Sequence, residues 1–314
     1  RGDEFNAEEW AQLFYLSGAR FAGPVAEHHD GYAMWDSDVT PWNAKDTGPC
    51  RDIVGELADS IRKKGLKFIT TFHHARMGKA PSESNERDKR KWYYYGREKY
   101  FDRNIPTYKD SEELSKLYGS ISWEHFLQMW NKKLEEVIKK YRPDLIWFDS
   151  WLDRIPQKNR IEFVNTYLKA AKQWKKPVVI TYKQNDLPQN VGIVDFEKGR
   201  LDRLTEYAWL TDDTISAGVW TETGSWSYTE ELDIKSSREI IHTLVDIVSK
   251  NGNLLLNISP RADGSIPLEQ RHSLLGVGDW LKVNGEAIYE TRPFKIYGEG
   301  PKRMESSGHF VQMN

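Results

Sequence analysis

The chain has 314 residues, a formal charge of −2, a single cysteine (Cys50) and 13 tryptophans. This length suits an α/β barrel and a large core. The even mix of acids and bases excludes the basic footprint of a nucleic-acid binder, one cysteine excludes an intrachain disulfide, and no apolar run approaches the ~18 residues of a membrane-spanning helix.

Residues 5–18 read as a helix, with Asn6 as N-cap, Glu8 and Glu9 in the first turn and Gly18 at its end. A strand over 19–26 exits into Glu27, His28, His29, Asp30 and Gly31. A helix over 52–64, closed by Gly65, leads to a strand over 67–72 that exits into His73 and His74. Residues 76–119 are polar, charged and aromatic. They are too long for an ordinary connection and are expected to form an excursion over one face. Helix resumes over 122–141, and a short apolar strand over 145–148 ends on Asp149. The remaining order is helix 157–174, strand 177–182, strand 191–196 with Glu197 at its exit, strand 215–220, helix 236–250, strand 253–258 and helix 267–284, opened by Pro267.

This alternation predicts a parallel sheet wrapped by helices, a (β/α)8-type, TIM-like barrel over 1–294, with 295–314 starting a linker or a further β-domain. A doubly wound sheet is the alternative, but no Gly-rich dinucleotide fingerprint is present. In a barrel the strand exits face one end, and that end holds the chemistry.

Asp149 is flanked by Trp147, Phe148 and Trp151. Indole faces stack on the C–H faces of a pyranose, which suits a sugar pocket; the competing reading is a helix-capping Asp. Two carboxylates at strand exits suggest glycoside hydrolysis. Asp149 and Glu197 are the leading pair, although Glu197 also reads as a solvated loop residue beside Lys198 and Arg200. Glu206 and Glu222 are rivals for the acid role. His28 and His29 are adjacent on extended backbone and point to opposite sides, so one metal ion does not easily take both. No HExxH or facial-triad spacing occurs, and no metal ion is expected. One histidine of each pair, His28/His29 and His73/His74, is expected to face sugar hydroxyls. Trp226 lies in a Gly/Ser loop, where its ring covers a ligand or packs beneath the loop. A Ser–His–Asp hydrolase lacks its Gly-x-Ser-x-Gly elbow here.

Together these segments resemble the α-L-fucosidases of glycoside hydrolase family 29. The run from Glu27 through His28, His29, Asp30, Gly31 and Tyr32 is similar to the family's Lys-His-His-Asp-Gly-Phe segment. Pro143 to Asp149 looks like its nucleophile strand, residues 253–266 resemble its Asn-Leu-Leu-Leu-Asn-Ile-Gly-Pro element, and residues 284–289 match its Asn-Gly-Glu-Ala-Ile-Tyr. The resemblance implies a retaining exo-glycosidase acting on fucosylated glycans without metal or organic cofactor, and a secreted, periplasmic or lysosomal setting. It maps the nucleophile onto Asp149 and, by offset, the acid/base onto Glu197. It maps sugar ligands onto His28, His29 and one of His73 and His74, and the packing aromatic onto Trp226.

The sequence departs from the family pattern in three ways. The first barrel strand with its sugar-binding His is missing, since the chain opens on a helix. The family's sugar-binding arginine has no match, and Lys183 stands in as a point charge without the planar fork. The chain stops where a C-terminal β-sandwich normally starts. A truncated barrel is therefore expected. Two alternatives follow: a non-catalytic carbohydrate-binding fragment, or an exo-glycosidase for a galactose-configured sugar. No nucleic acid or membrane partner is implied, and an oligomer is neither required nor forbidden.

Overall fold

Local signals set most element ends. Asn6 accepts hydrogen bonds from Glu8 N and Glu9 N and so caps the first helix. Asp52, Ser122 and Ser236 cap later helices in the same way, Ser236 in a reciprocal capping box with Glu239. The computed structural model describes residues 2–78, 117, 121–219 and 223–298. Nearly all of the excursion expected over 76–119 lies outside the described residues, as do Glu222 and residues 299–314. In chain order the elements are α1 (Ala7–Leu16), β1 (Phe21–Ala22), β2 (Val25–Glu27), α2 (Ile53–Lys63), β3 (Lys67–Phe72), α3 (Trp123–Tyr141), β4 (Leu145–Phe148), α4 (Gln157–Trp174), β5 (Val179–Lys183), β6 (Ile193–Asp195), β7 (Trp209–Thr214), α5 (Ser237–Ser249), β8 (Gly252–Asn257) and α6 (Leu268–Asn284). Two compact units result: Arg1–Val194 with Arg261–Ile266, and Asp195–Pro260 with Pro267–Asn314.

In the first unit β1 and β2 both pair with β3, β3 pairs with β4 and β4 with β5, every pair parallel. The strand expected over 19–26 breaks into β1 and β2 at Gly23 and Pro24. A Cβ on Gly23 would lie 1.8 Å from Ile69 O, so only glycine lets the chain cross there. The core is built from one face of each helix: Val54, Leu57 and Ile61 of α2, and Phe126, Trp130, Leu134 and Ile138 of α3, against Phe68, Phe72, Ile146 and Phe148 of the strands.

α3 also holds the long β2–α2 connection from beneath. Lys133 and Glu27, both with 0% side-chain exposure, form an ion pair at 2.7 Å, and Lys133 Nζ donates to Gly31 O at 3.0 Å. Glu136 accepts from Trp35 Nε1, Ser37 Oγ and Asp38 N, each at 2.7 Å. A connection this long carries many backbone and side-chain polar groups, and buried ones need such partners.

In the second unit β6 pairs with β7 at Asp195 and Leu210, and β7 pairs with β8 over six residues from Trp209 and Gly252 to Thr214 and Asn257, all parallel. The strand expected over 215–220 is not formed across its described residues, 215–219. Its place is taken by β7, and Ser216 makes only an isolated antiparallel bridge to Ile234. β7 is buried along its whole length despite its polar Thr211-Asp212-Asp213-Thr214 run. The burial is tolerated because those side chains find partners, including Thr211 Oγ1 to Gly199 O at 2.9 Å and Lys235 Nζ to Asp213 Oδ2 at 2.6 Å.

Parallel strands alternating with helices are the pattern of an incomplete (β/α)8-type barrel, the α/β class the sequence predicts. Among the described residues no helix is long and apolar enough to cross a membrane.

Candidate active site

Strand register brings the chemistry of the first unit together. β2 ends on Glu27, which pairs with Phe72; β3 ends on Phe72, which pairs with Phe148; β4 ends there. The next backbone donors continue the ladder, His73 N to Glu27 O and Asp149 N to Phe72 O, both at 3.0 Å. His28, His73 and Asp149 therefore leave adjacent strands at the same level, and Lys183 ends the next strand, β5. Trp147 lies one pleat below Asp149 on the same face.

The side chains converge accordingly. His28 and His73 stack with centroids 4.2 Å apart and planes 26° apart, and His28 meets His29 edge-on at 4.4 Å. His73 lies 5.2 Å from Trp147, and Lys183 Nζ lies 5.0 Å from the Trp147 ring centroid. His29 Nε2 is 3.2 Å from Asp149 Oδ2, and Lys183 Nζ is 3.3 Å from Asp149 Oδ1. An ionised carboxylate only accepts, so the His29 nitrogen donates.

Burial works against charge on Asp149, but the hydrogen bond from His29 and the fields of Lys183 and His29 outweigh it. The carboxyl is held well below the usual carboxylate range. Asp149 is thus an anion at any working pH, fit to attack or to stabilise positive charge and unfit to deliver a proton. Burial, aided by the neighbouring His28, His29 and Lys183 and opposed by Asp149, pushes His73 well below the ordinary histidine range and keeps it neutral.

His74 is not brought to this cluster. It points to the other face of the chain, 1% exposed, stacked on Trp130 with centroids 5.6 Å apart. Burial drives its pKa well down; the chain turns into a 3₁₀ helix at His74–Arg76, which carries this side chain against Trp130 and leaves His73 at the cluster. Trp151 is half-buried in the turn after Asp149, in a left-handed conformation at φ 77°. The second unit holds the other sequence candidates. Glu197 and Glu206 are exposed, Glu197 in the turn that follows β6. The half-buried Trp226 has Lys198 Nζ 5.2 Å from its ring centroid, and its carbonyl accepts from Asn257 Nδ2 at 2.7 Å and Ser259 Oγ at 3.2 Å. Among the described residues no group of three or more His, Cys, Asp or Glu is arranged to hold a metal ion.

Sequence reasoning missed Asp186. It is 1% exposed, and burial together with the nearby Asp153 pushes its carboxyl up to about 7. A carboxylate three residues past a strand end was the available signal. The Glu27–Lys133 pair was also missed, because its members are 106 residues apart.

Parallel strands whose exits gather an ionised carboxylate, histidines, a lysine and an indole follow the (β/α)-barrel rule that reactive groups collect at the strand ends. A family model described as alpha-L-fucosidase matches residues 1–286, and the chain belongs to that family. It is 32% identical over 307 residues to the tissue alpha-L-fucosidase of Rattus norvegicus, a match covering 95% of this chain and 58% of the rat protein. The crystal structure of Thermotoga maritima alpha-fucosidase in complex with a mechanism-based inhibitor is similar at a TM-score of 0.69 and 28% identity, covering 94% of this chain and 60% of that one. The same enzyme in complex with fucose is similar at 0.68 and 27%, over 94% and 60%. The chain spans less than two thirds of each of these proteins.

Proposed function

We propose that this chain hydrolyses terminal α-L-fucosyl residues of glycans with retention of configuration, Asp149 acting as nucleophile and Glu197 as acid/base. The observation that carries the proposal is Asp149, held ionised between His29 and Lys183 beside Trp147, in a chain of the alpha-L-fucosidase family. In the first step an Asp149 oxygen bonds to the anomeric carbon while the glycosidic C–O bond breaks, and Glu197 gives its proton to the leaving oxygen. In the second, water attacks the same carbon and gives its proton to Glu197, and Asp149 departs as a carboxylate. His28, His29, His73 and Lys183 present donors and acceptors to the sugar hydroxyls, and Trp147, Trp151 and Trp226 offer apolar faces to its C–H edges. Fucose lacks a C6 hydroxyl, so an apolar niche favours it over a galactose-configured sugar.

The test is nitrophenol release from an aryl α-L-fucoside by this chain, with Asp149→Ala and Glu197→Ala beside it. Turnover that disappears in Asp149→Ala, and recovers with azide in Glu197→Ala, supports the assignment. Loss and azide rescue in Glu206→Ala or Glu222→Ala instead would move the acid role. Fucose binding without turnover at any pH would identify a carbohydrate-binding fragment.

A further inference from the structure

The mechanism leaves Asp186, a buried carboxylate, unused. Asp186 Oδ2 accepts from Leu152 N at 2.9 Å, and the Trp151 N–H also faces this carboxylate. These two amides belong to the turn that directly follows Asp149. On its other side, Asp186 N donates to Lys183 O at 3.3 Å and closes the turn that follows Lys183. Both turns hold a non-glycine residue in the left-handed region, Trp151 at φ 77° and Gln184 at φ 56°. Such conformations persist only where the surroundings over-determine them. Arg160 of α4 adds a third tie by donating to Asp186 O. One residue thus joins the turn after the carboxylate to the turn after the lysine, and those two side chains stand 3.3 Å apart.

We propose that Asp186 is a positioning residue, which sets the geometry of the Asp149–Lys183 pair and of Trp151 by binding the Trp151–Leu152 backbone. The inference rests on the reading of Asp149 as nucleophile for its kinetic consequence, but not for the backbone contact itself. Its burial and the Asp153 charge make the carboxyl hard to ionise. The contact asks for an acceptor oxygen at a fixed place rather than for a charge.

Three variants separate place from charge. Asp186→Asn keeps an acceptor oxygen in place, Asp186→Glu keeps the carboxylate but displaces it by one methylene, and Asp186→Ala removes it. Two readouts are taken: kcat and KM on an aryl α-L-fucoside, and amide hydrogen exchange at Leu152. The expected result is an Asn variant within about threefold of wild type in kcat. The Glu and Ala variants should lose kcat by ten- to a hundredfold, the scale of a ~1 Å misplacement, with KM changed far less. Leu152 exchange should accelerate at least tenfold in Glu and Ala and stay put in Asn. Should Asp186→Ala not fold, the Asn and Glu variants decide alone. Equal kcat loss in Asn and Glu, or unchanged Leu152 exchange in Glu, overturns the inference. If the wild-type chain shows no turnover, the nucleophile reading fails first, and the exchange data still decide whether Asp186 holds the turn.

Discussion

Lys183→Met should raise the pKa of Asp149 and bring its titration into view. Lys183 Nζ stands 3.3 Å from Asp149 Oδ1, with side-chain exposures of only 4% and 11%. At an effective dielectric of about 20, two unit charges at that separation attract by about 5 kcal/mol, equivalent to roughly 4 pKa units at 1.36 kcal/mol each. Water that enters beside the new methionine recovers part of this, and carboxylates beside one cation shift by about 1–3 units. Met fills the space of the lysine stem, and His29 still donates to Oδ2. The acid limb of kcat/KM should therefore move up by about 1–3 units, with the loss of activity concentrated at low pH. The linkage has the same sign. A carboxyl with a lowered folded-state pKa contributes stability that is present above its ordinary value near 4 and is lost as pH falls through the lowered one. The variant's stability should therefore rise less steeply with pH over that range. The assay is kcat/KM from pH 3 to 8 on one aryl fucoside, with urea melts at the same pH values. An acid limb that stays in place while activity falls equally at every pH would refute the electrostatic argument.

Three further outcomes are expected. Asp186, pushed up to about 7, binds more protons folded than unfolded between roughly pH 4 and 7. Stability should fall by up to ~4 kcal/mol as pH rises through that window; Asp186→Asn should remove this slope, so urea melts should show the variant gaining on wild type at pH 8 relative to pH 4, and parallel profiles would contradict it. Gly23→Ala puts a Cβ 1.8 Å from the Ile69 carbonyl; it should destabilise the first unit by about 3 kcal/mol in urea melts, and a cost under ~1 kcal/mol would mean the backbone yields there. Asn6→Ala removes the acceptor of Glu8 N and Glu9 N and should cost ~1 kcal/mol, an effect that Asn6→Asp should avoid in thermal melts at neutral pH.

Where local chemistry and packing agree, element ends were legible from sequence. β3, β4 and α4 fall where apolar runs and flanking polar residues put them, and the Asn6, Asp52, Ser122 and Ser236 caps mark their helices. β7 was misread because hydropathy follows composition, whereas its Thr and Asp side chains are buried against partners remote in the chain. The break at Gly23 was invisible for a related reason, since the crowding atom belongs to Ile69 on a neighbouring strand. Of the histidines, the sequence could say only that one of each adjacent pair faces the site, and for His28 and His29 this was wrong, since both join the Asp149 cluster. The register of β3 against β2 and β4 chooses His73.

The sequence by itself determines that residue 149 is a carboxylate directly after four apolar strand residues, with histidine pairs following two earlier strands and a lysine at the end of a later one. That order is enough for the class of fold and the class of chemistry. Only the tertiary structure decides that Asp149 stays an anion in spite of its burial. Its state depends on His29, 120 residues away in the chain, and on Lys183. Fields of that kind fall off with distance in space, and separation along the chain carries no information about it.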